Sequence, residues 1–295
     1  HRYGALRDQV IGLRLAHADG TLTRAGAKVV KNVTGYDMNK LYVGSLGTLG
    51  VILEASFRLY PLPADERTWL ADFPAVARAG AAAARILDSP LAPSAVELLD
   101  GPAAREAAAA ALPEEPGPLL AVSLASVPEA VEAQLGALGA LGAGARRTWV
   151  LAAEAQARFW EGVRDMRLRS RGCLLKVALL PARVPEALEL AAGLAEQRGL
   201  RLRAVSEAGV GLVRCFLDAP PGGADPEGFA ALIAALRAFA QRCRGSLVVL
   251  AAPPEVKAVA DVWGAAGSAF PLMRELKRAF DPEGILNPGR FLGGL

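Results

Sequence analysis

The chain has 295 residues, 53% of them hydrophobic and 21% charged, with a formal net charge of +3 at pH 7. That length allows two domains with a core each, and so small a charge, with no basic run longer than two residues, does not imply a nucleic-acid partner. Mean hydropathy is positive, yet no stretch of about eighteen apolar residues lacks charge or proline, so a soluble protein without direct membrane insertion is expected.

In chain order, Val10 to Ala18 alternates weakly and ends at Asp19-Gly20, a hairpin signal leading into TLTRAG. Val29 to Val33 predicts a short strand broken by Gly35, and Asp37 is placed to cap a short helix in MNKLYVG. Gly44, Gly47 and Gly50 follow at three-residue spacing. The strand Val51 to Tyr60 comes next, with Val51, Leu53, Ala55, Phe57 and Leu59 on one face. Pro61 and Pro63 end it, and the change of composition places a boundary at Leu62 to Asp65.

The middle of the chain predicts a repeat. Cys173–Leu180, Leu200–Ser206, Val210–Leu217 and Ser246–Ala251 read as strands, with helices at Val184–Arg198 and Glu227–Arg242. This is a β-α-β-β-α-β, ferredoxin-like order. A looser copy precedes it, with strands at Thr68–Phe73, Ser94–Leu99, Leu119–Leu124 and Arg146–Leu151. Its helices are Val76–Leu87, Ala103–Leu112 and Pro128–Leu141, and a long helix, Glu154–Arg169, joins the halves. Two such units predict an α+β fold with one broad antiparallel sheet, covered by helices on one face and free on the other to cover a ligand. Ala269–Phe280 reads as a last helix, stopped by Asp281-Pro282. The domains expected are 1–63, 64–267 and 268–295.

Three glycines without Cβ atoms let backbone amides turn toward an anion or a flat ring. Spacing alone leaves a tight connection equally open. It excludes a P-loop and a dinucleotide fingerprint, since Val51 and Ile52 follow Gly50. Cys173, Cys215 and Cys243 have neither metal-site nor redox-motif spacing and read as buried, reduced thiols of a cytosolic protein. With only His1 and His17, a histidine metal site or a Ser-His-Asp triad has almost nothing to be built from. HRYGALRD has neither an initiating Met nor an apolar leader, so it reads as the middle of something longer. Asn32-Val33-Thr34 matches a glycosylation acceptor, disregarded without a secretory signal. The arginines of Arg164 to Arg171 read as a solvated helix end or a dock for an acidic partner.

HRYGALRD (His1–Asp8), KVVKNVTGYDMNKLYVGSLGTLGVI (Lys28–Ile52) and FDPEGILNPGRF (Phe280–Phe291) resemble, in that order, vanillyl-alcohol-oxidase or PCMH-type FAD-linked oxidoreductases. Within that family the likeness is to the FAD-binding subunits of bacterial glycolate oxidases. The resemblance implies FAD as cofactor, held by the second lobe of a two-lobed domain whose first lobe is missing here, so that this chain alone could lack it. It implies cofactor contacts at Tyr3, Gly4, Leu6, Arg7, Asp8, Gly47, Thr48, Leu49, Gly50, Val51, Ile52 and Asn287, the glycine loop acting chiefly by backbone amides. Arg7 and Asp8 are equally read as an exposed ion pair, and Asn287 as a turn organiser. A catalytic flavoprotein subunit and an iron–sulfur subunit are the implied partners, through which a cytoplasmic chain would meet a membrane.

Two departures from the family stand out. Leu46 stands where much of the wider family carries the glutamate of a GSEGTLG loop, although Leu or another apolar residue is usual among the glycolate-oxidase FAD subunits. The family's histidine-rich catalytic pair is missing where SEAGVGLVRCF (Ser206–Phe216) stands, and Glu207, the acid there, reads as an exposed turn residue. No catalytic residue is therefore assigned. A flavin-free structural subunit and a self-sufficient flavin oxidase of another alcohol or sugar remain as alternatives.

Overall fold

The computed structural model describes residues 2–29, 35–109, 111–112, 116–220 and 225–295. Its contacts separate two units, Tyr3–Leu62 with Trp263–Leu295, and Pro63–Val262 with Arg2. In the first, Leu6–Gln9 (α1) leads into Val10–Ala16 (β1), followed by Leu22–Gly26 (β2), Asn39–Tyr42 (α2) and Val51–Phe57 (β3). The strands form an antiparallel sheet in the order β2-β1-β3. Asp19 closes the β1–β2 turn by accepting from the Thr21 amide at 2.9 Å. The Asp37 carboxylate accepts from the Asn39 amide at 3.2 Å and so starts α2. The strand expected at Val29 to Val33, and the Asn32 acceptor, fall almost wholly on residues outside those described.

A small core of Val10, Leu13, Leu15, Tyr42 and Leu49 holds this unit together, with Phe280 packed against it. β3 is an edge strand that stops at Phe57, so Leu59 lies beyond it. Val51, Leu53 and Phe57 on one face and Ile52 on the other are all exposed. The alternation read from the sequence is therefore present as geometry, without one face being buried inside this unit.

The second unit holds β4 (Asp65–Asp72), α3 (Val76–Leu87), β5 (Ala95–Leu99), α4 (Gly101–Ala108), β6 (Leu119–Ser126), α5 (Pro128–Leu141), β7 (Arg147–Ala152) and α6 (Ala153–Arg169). It continues with β8 (Cys173–Ala178), α7 (Val184–Glu196), β9 (Arg201–Glu207), β10 (Leu212–Asp218), α8 (Pro226–Arg242), β11 (Ser246–Ala251) and α9 (Pro254–Val259). The first unit then resumes with α10 (Phe270–Phe280).

The eight strands of the second unit form one antiparallel sheet in the order β11-β8-β10-β9-β5-β6-β4-β7. Each half arranges its own strands as fourth, first, third, second, and the two second strands, β5 and β9, meet in the middle. The α+β fold with a broad antiparallel sheet expected from the sequence is the fold observed.

Helices α3, α5, α7 and α8 cover one face, where Ile86, Leu138, Leu188 and Leu232 pack against Val122, Leu175 and Val213. The other face is not free, as the sequence reading had it. α4 and α6 lie on it, packing Phe159 and Met166 over Leu70, Leu119, Val205 and Phe216. Small residues allow this close approach: a Cβ on Gly162 of α6 would stand 2.7 Å from the Ala107 carbonyl oxygen. Cys173 and Cys215 are buried and free, and burial pushes both thiols up to about 12.

Candidate functional site

In the first unit the chain turns sharply between α2 and β3. Gly44, Leu46 and Gly47 all have positive φ, at 96°, 53° and 75°. The Ser45 and Thr48 amides are used inside the loop, donating to Tyr42 and Ser45 carbonyls at 3.1 Å each. The Leu46, Gly47 and Leu49 amides have no acceptor among the described residues.

The three glycines serve different ends. A Cβ on Gly44 would meet nothing within 4 Å, whereas one on Gly47 would come within 2.8 Å of Asn287 Nδ2. A Cβ on Gly50 would come within 3.3 Å of the Ala16 carbonyl and the Tyr42 ring. Gly50 is thus a packing glycine, and the open backbone is confined to Gly44 through Gly47. Thr48 turns its hydroxyl back to the Ser45 carbonyl at 2.8 Å, and Leu49 lies in the small core. Neither side chain is presented outward, whereas those of Val51 and Ile52 are exposed.

The closing turn meets this loop. Asn287, itself at φ 43°, donates from Nδ2 to the Leu46 carbonyl at 2.6 Å. An anchor that the sequence reading missed holds that contact: the Lys277 ammonium donates to the Thr48 carbonyl at 2.9 Å, the Leu286 carbonyl at 2.8 Å and the Asp281 carboxylate at 2.5 Å. Asp281, which was read only as a helix stop, is 2% exposed and accepts from the Ile285 and Leu286 amides. Burial alone would raise its carboxyl, but the Lys277 and amide hydrogen bonds together hold it below the ordinary carboxylate range. The available signal was a Lys followed by Asp at i,i+4 on the last turn of a helix.

A mainly apolar pocket of about 220 Å³ lies between Gly44, Thr48, Met273, Lys277 and Phe291. It is smaller than a pocket that encloses a drug-sized ligand, so it suits the edge of a larger group. The free amides and the side-chain-free approach at Gly44 fit an anionic or ring-bearing nucleotide resting on the loop.

The N-terminal candidates sit elsewhere in the same unit. Arg7 donates from Nε and Nη2 to the Lys40 carbonyl at 3.0 and 2.7 Å, and Lys40 returns a bond to the Arg7 carbonyl. Asp8 accepts from the Ala5 amide at 3.1 Å, so the two do not form the exposed ion pair that the sequence allowed. Gly4 takes a positive φ of 75°, Tyr3 packs on Tyr60 at 4.7 Å between ring centroids, and Leu6 is exposed. Asp8, Tyr36, Asn39 and Lys40 border a separate polar pocket of about 190 Å³. Thus Gly47 and Asn287 are brought together, and Tyr3 through Asp8 form a second group.

In the second unit Glu207 is not an exposed turn residue. It ends β9 with its side chain 28% exposed and pairs with Arg214 of β10 at 2.5 Å.

The described fold is shared with solved structures of two enzymes. It matches p-cresol methylhydroxylase with a TM-score of 0.67 at 16% identity, over 96% of this chain and 64% of that one. It matches alkyldihydroxyacetonephosphate synthase with a TM-score of 0.61 at 16% identity, over 99% and 56%. The fold of p-cresol methylhydroxylase, here with a glycine loop locked by an Asn-Pro-Gly turn, is the class that results.

The sequence match to the family described as FAD linked oxidases, C-terminal domain, covers residues 62–248 and 262–291. The chain belongs to this family, and FAD is its cofactor. It is 41% identical over 101 residues to glycolate oxidase subunit GlcD of Bacillus subtilis, 34% of this chain and 22% of that protein. It is 28% identical over 300 residues to the D-lactate dehydrogenase of Archaeoglobus fulgidus, 98% of this chain and 66% of that protein. The chain therefore spans less than two thirds of the length of both. Among the described residues no helix is long and apolar enough to cross a membrane.

Proposed function

We propose that this chain serves an FAD-linked oxidoreductase acting on a small 2-hydroxy acid, and that its Gly44–Gly47 loop and Asn287 turn hold the flavin nucleotide. The observation that carries the reading is the 2.6 Å bond from Asn287 to the Leu46 carbonyl. That bond uses the loop's carbonyl, and the neighbouring amides of Leu46 and Gly47 have no acceptor among the described residues. Amides fixed in this way act as preorganised donors to a phosphate or a ring carbonyl. FAD, when bound, supplies the electron acceptor. The chain's own part is to fix that group's position, through loop amides and the Lys277–Asp281 anchor. Tyr3, Gly4, Leu6, Arg7 and Asp8 are proposed as further contacts.

The glycolate and D-lactate names of the relatives support a 2-hydroxy acid as substrate. A finer reading follows from the same likeness: an FAD-binding subunit beside a catalytic flavoprotein and an iron–sulfur subunit.

Titration of FAD into the purified protein, followed by flavin absorbance and fluorescence, tests the proposal. Saturable binding is expected. The Gly47→Ala variant is expected to weaken it at least tenfold with an unchanged circular dichroism spectrum, because the new methyl both strains the left-handed backbone and displaces Asn287. No flavin binding by the unmodified protein, or binding indifferent to Gly47→Ala, overturns the assignment of the loop.

A further inference from the structure

Where β9 begins and β10 ends, a cavity of about 650 Å³ opens beside α4 and the last residue of α6. Arg105 and Glu106 of α4, Arg169 of α6, Arg201 and Arg203 of β9 and Asp218 of β10 line it. Its walls carry four guanidinium groups against two carboxylates, while the whole chain has a net charge of only +3. A surplus of two positive charges is thus gathered in one concave place.

One of the four cations is fixed by the protein itself. Arg203, with its side chain 13% exposed, donates from Nη1 to Glu106 at 2.6 Å and from Nη2 to Asp218 at 2.7 Å. Its guanidinium lies over the Phe216 ring, 5.8 Å from the centroid. Asp218 also accepts from the Arg171 and Gly172 amides at 2.8 and 3.1 Å. Burial would raise its carboxyl, but those amides and Arg203 hold it below the ordinary carboxylate range. Arg203 is therefore a brace between two anions.

The other cations are not spent in that way. Arg201 is exposed and has no hydrogen bond or ion pair among the described residues. Arg169 is half exposed and gives Nη1 to Glu106 at 3.2 Å. With Arg105 on α4, these side chains reach the cavity from three separate elements. A planar carboxylate is satisfied by one or two parallel forks, whereas a tetrahedral dianion takes donors from several directions and matches a surplus of two charges. The cavity is also much larger than one phosphate group. Glu106 accepts one bond on each oxygen, which leaves lone pairs on both for hydroxyl donors.

We propose that this cavity binds the phosphate monoester of a sugar or other polyol, its phosphate held by Arg105, Arg169 and Arg201 and its hydroxyls donating to Glu106. The site lies wholly within the Pro63–Val262 unit and goes beyond the flavin reading, on which it does not rest. Arginine keeps its charge at every working pH, and Asp218 stays ionised, so the pH response belongs to the ligand. A phosphate monoester gains its second charge at about pH 6. Affinity therefore rises as pH climbs through that value and then levels off.

The test is calorimetric titration of glucose 6-phosphate, glycerol 3-phosphate, inorganic phosphate and glucose 6-sulfate into the purified protein at pH 5 and pH 7.5. Both phosphate esters are expected to bind saturably, and more tightly at pH 7.5; the tighter of the two identifies the carbon skeleton. Glucose 6-sulfate, which keeps a single charge, is expected to bind more weakly at pH 7.5 and without pH dependence. Arg201→Gln is expected to weaken the esters at least tenfold at an unchanged melting temperature. Arg78→Gln, which removes an exposed arginine of α3 outside the cavity, is expected to leave them unchanged. Absence of saturable ester binding, binding indifferent to Arg201→Gln, or an equal loss in Arg78→Gln overturns the proposal. Inorganic phosphate bound as tightly as both esters overturns the assignment to an ester. A polyglutamate peptide that binds where the esters do not overturns it as well, and makes the cavity a dock for an acidic protein segment.

Discussion

Lys277 and Asp281 lie one helical turn apart and are joined at 2.5 Å, with the Asp281 side chain buried completely. A buried carboxylate that loses its cation is left with a desolvation cost that nothing offsets, typically several kcal/mol. Lys277→Met is therefore expected to destabilise the C-terminal segment by roughly 3 kcal/mol near neutral pH. Hydrogen exchange of the Ile285 and Leu286 amides would read this directly. The sign with pH follows from the depressed carboxyl. In the parent protein the stability from Asp281 is present above the unfolded-state value of about 3.8 and is lost as pH falls through the lower folded value. The gap between variant and parent should accordingly close in acid, where a neutral Asp281 no longer needs Lys277. At this scale the sequence was half legible. Asp281-Pro282 announced the end of a helix, but the partner of a carboxylate depends on which carbonyls and amides the tertiary fold brings to it. Gly50 carries the same lesson, since spacing cannot separate a glycine kept open for a ligand from one pressed against Tyr42.

Between elements, the contact of α4 with α6 turns on Gly162. Glycine inside a helix normally costs up to about 1 kcal/mol relative to alanine, so an alanine substitution ought to stabilise. At Gly162 the added methyl would lie 2.7 Å from the Ala107 carbonyl oxygen and 3.0 Å from its Cα, both backbone atoms that cannot rotate away. Overpacking of this kind costs about 1–3 kcal/mol, and Gly162→Ala is expected to be net destabilising in urea denaturation. Gly193 of α7 has nothing within 4 Å of such a methyl, and Gly193→Ala is expected to stabilise by about 0.5–1 kcal/mol. A stabilised Gly162→Ala would mean that α4 and α6 do not touch here. The helices themselves were readable from periodicity, with Val76–Leu87 and Pro128–Leu141 falling on the residues expected. Their faces were not. Period 3.6 says that α6 has a buried stripe through Phe159, Gly162 and Met166, but not which side of the sheet receives it. The short α9 was missed altogether, since six residues carry too little pattern to register.

At the scale of the whole eight-stranded unit, the sheet is two four-stranded copies whose strands pair across β5 and β9, and that pairing is short. Glu97↔Glu207, Leu98↔Ser206 and Leu99↔Val205 are its register pairs. The Ser206 hydroxyl adds a bond to the Leu98 carbonyl at 3.2 Å, and the Ala208 amide one to the Val96 carbonyl at 2.9 Å. Two carboxylates thus face each other at the seam between the halves, which makes the joint sensitive to protons. The folded carboxyl of Glu97 lies near 8 against an ordinary value of 4.5. Between those values the folded protein holds a proton that the unfolded chain releases, so stability falls with rising pH across that window. Below about 4.5 both states are protonated and the group contributes no slope. Above about 8 both are ionised, and the accumulated cost stays constant. Glu97→Gln keeps the shape of the side chain and removes the titration. Its melting temperature is expected to match the parent near pH 5 and to exceed it at pH 9, in scans followed by circular dichroism. An equal decline of both proteins with pH would place the sensitivity elsewhere and leave the seam electrically silent. The opposite order, with the glutamine variant weaker at pH 9, would require the ionised Glu97 to stabilise the fold, through the charge of Arg214 that acts on it.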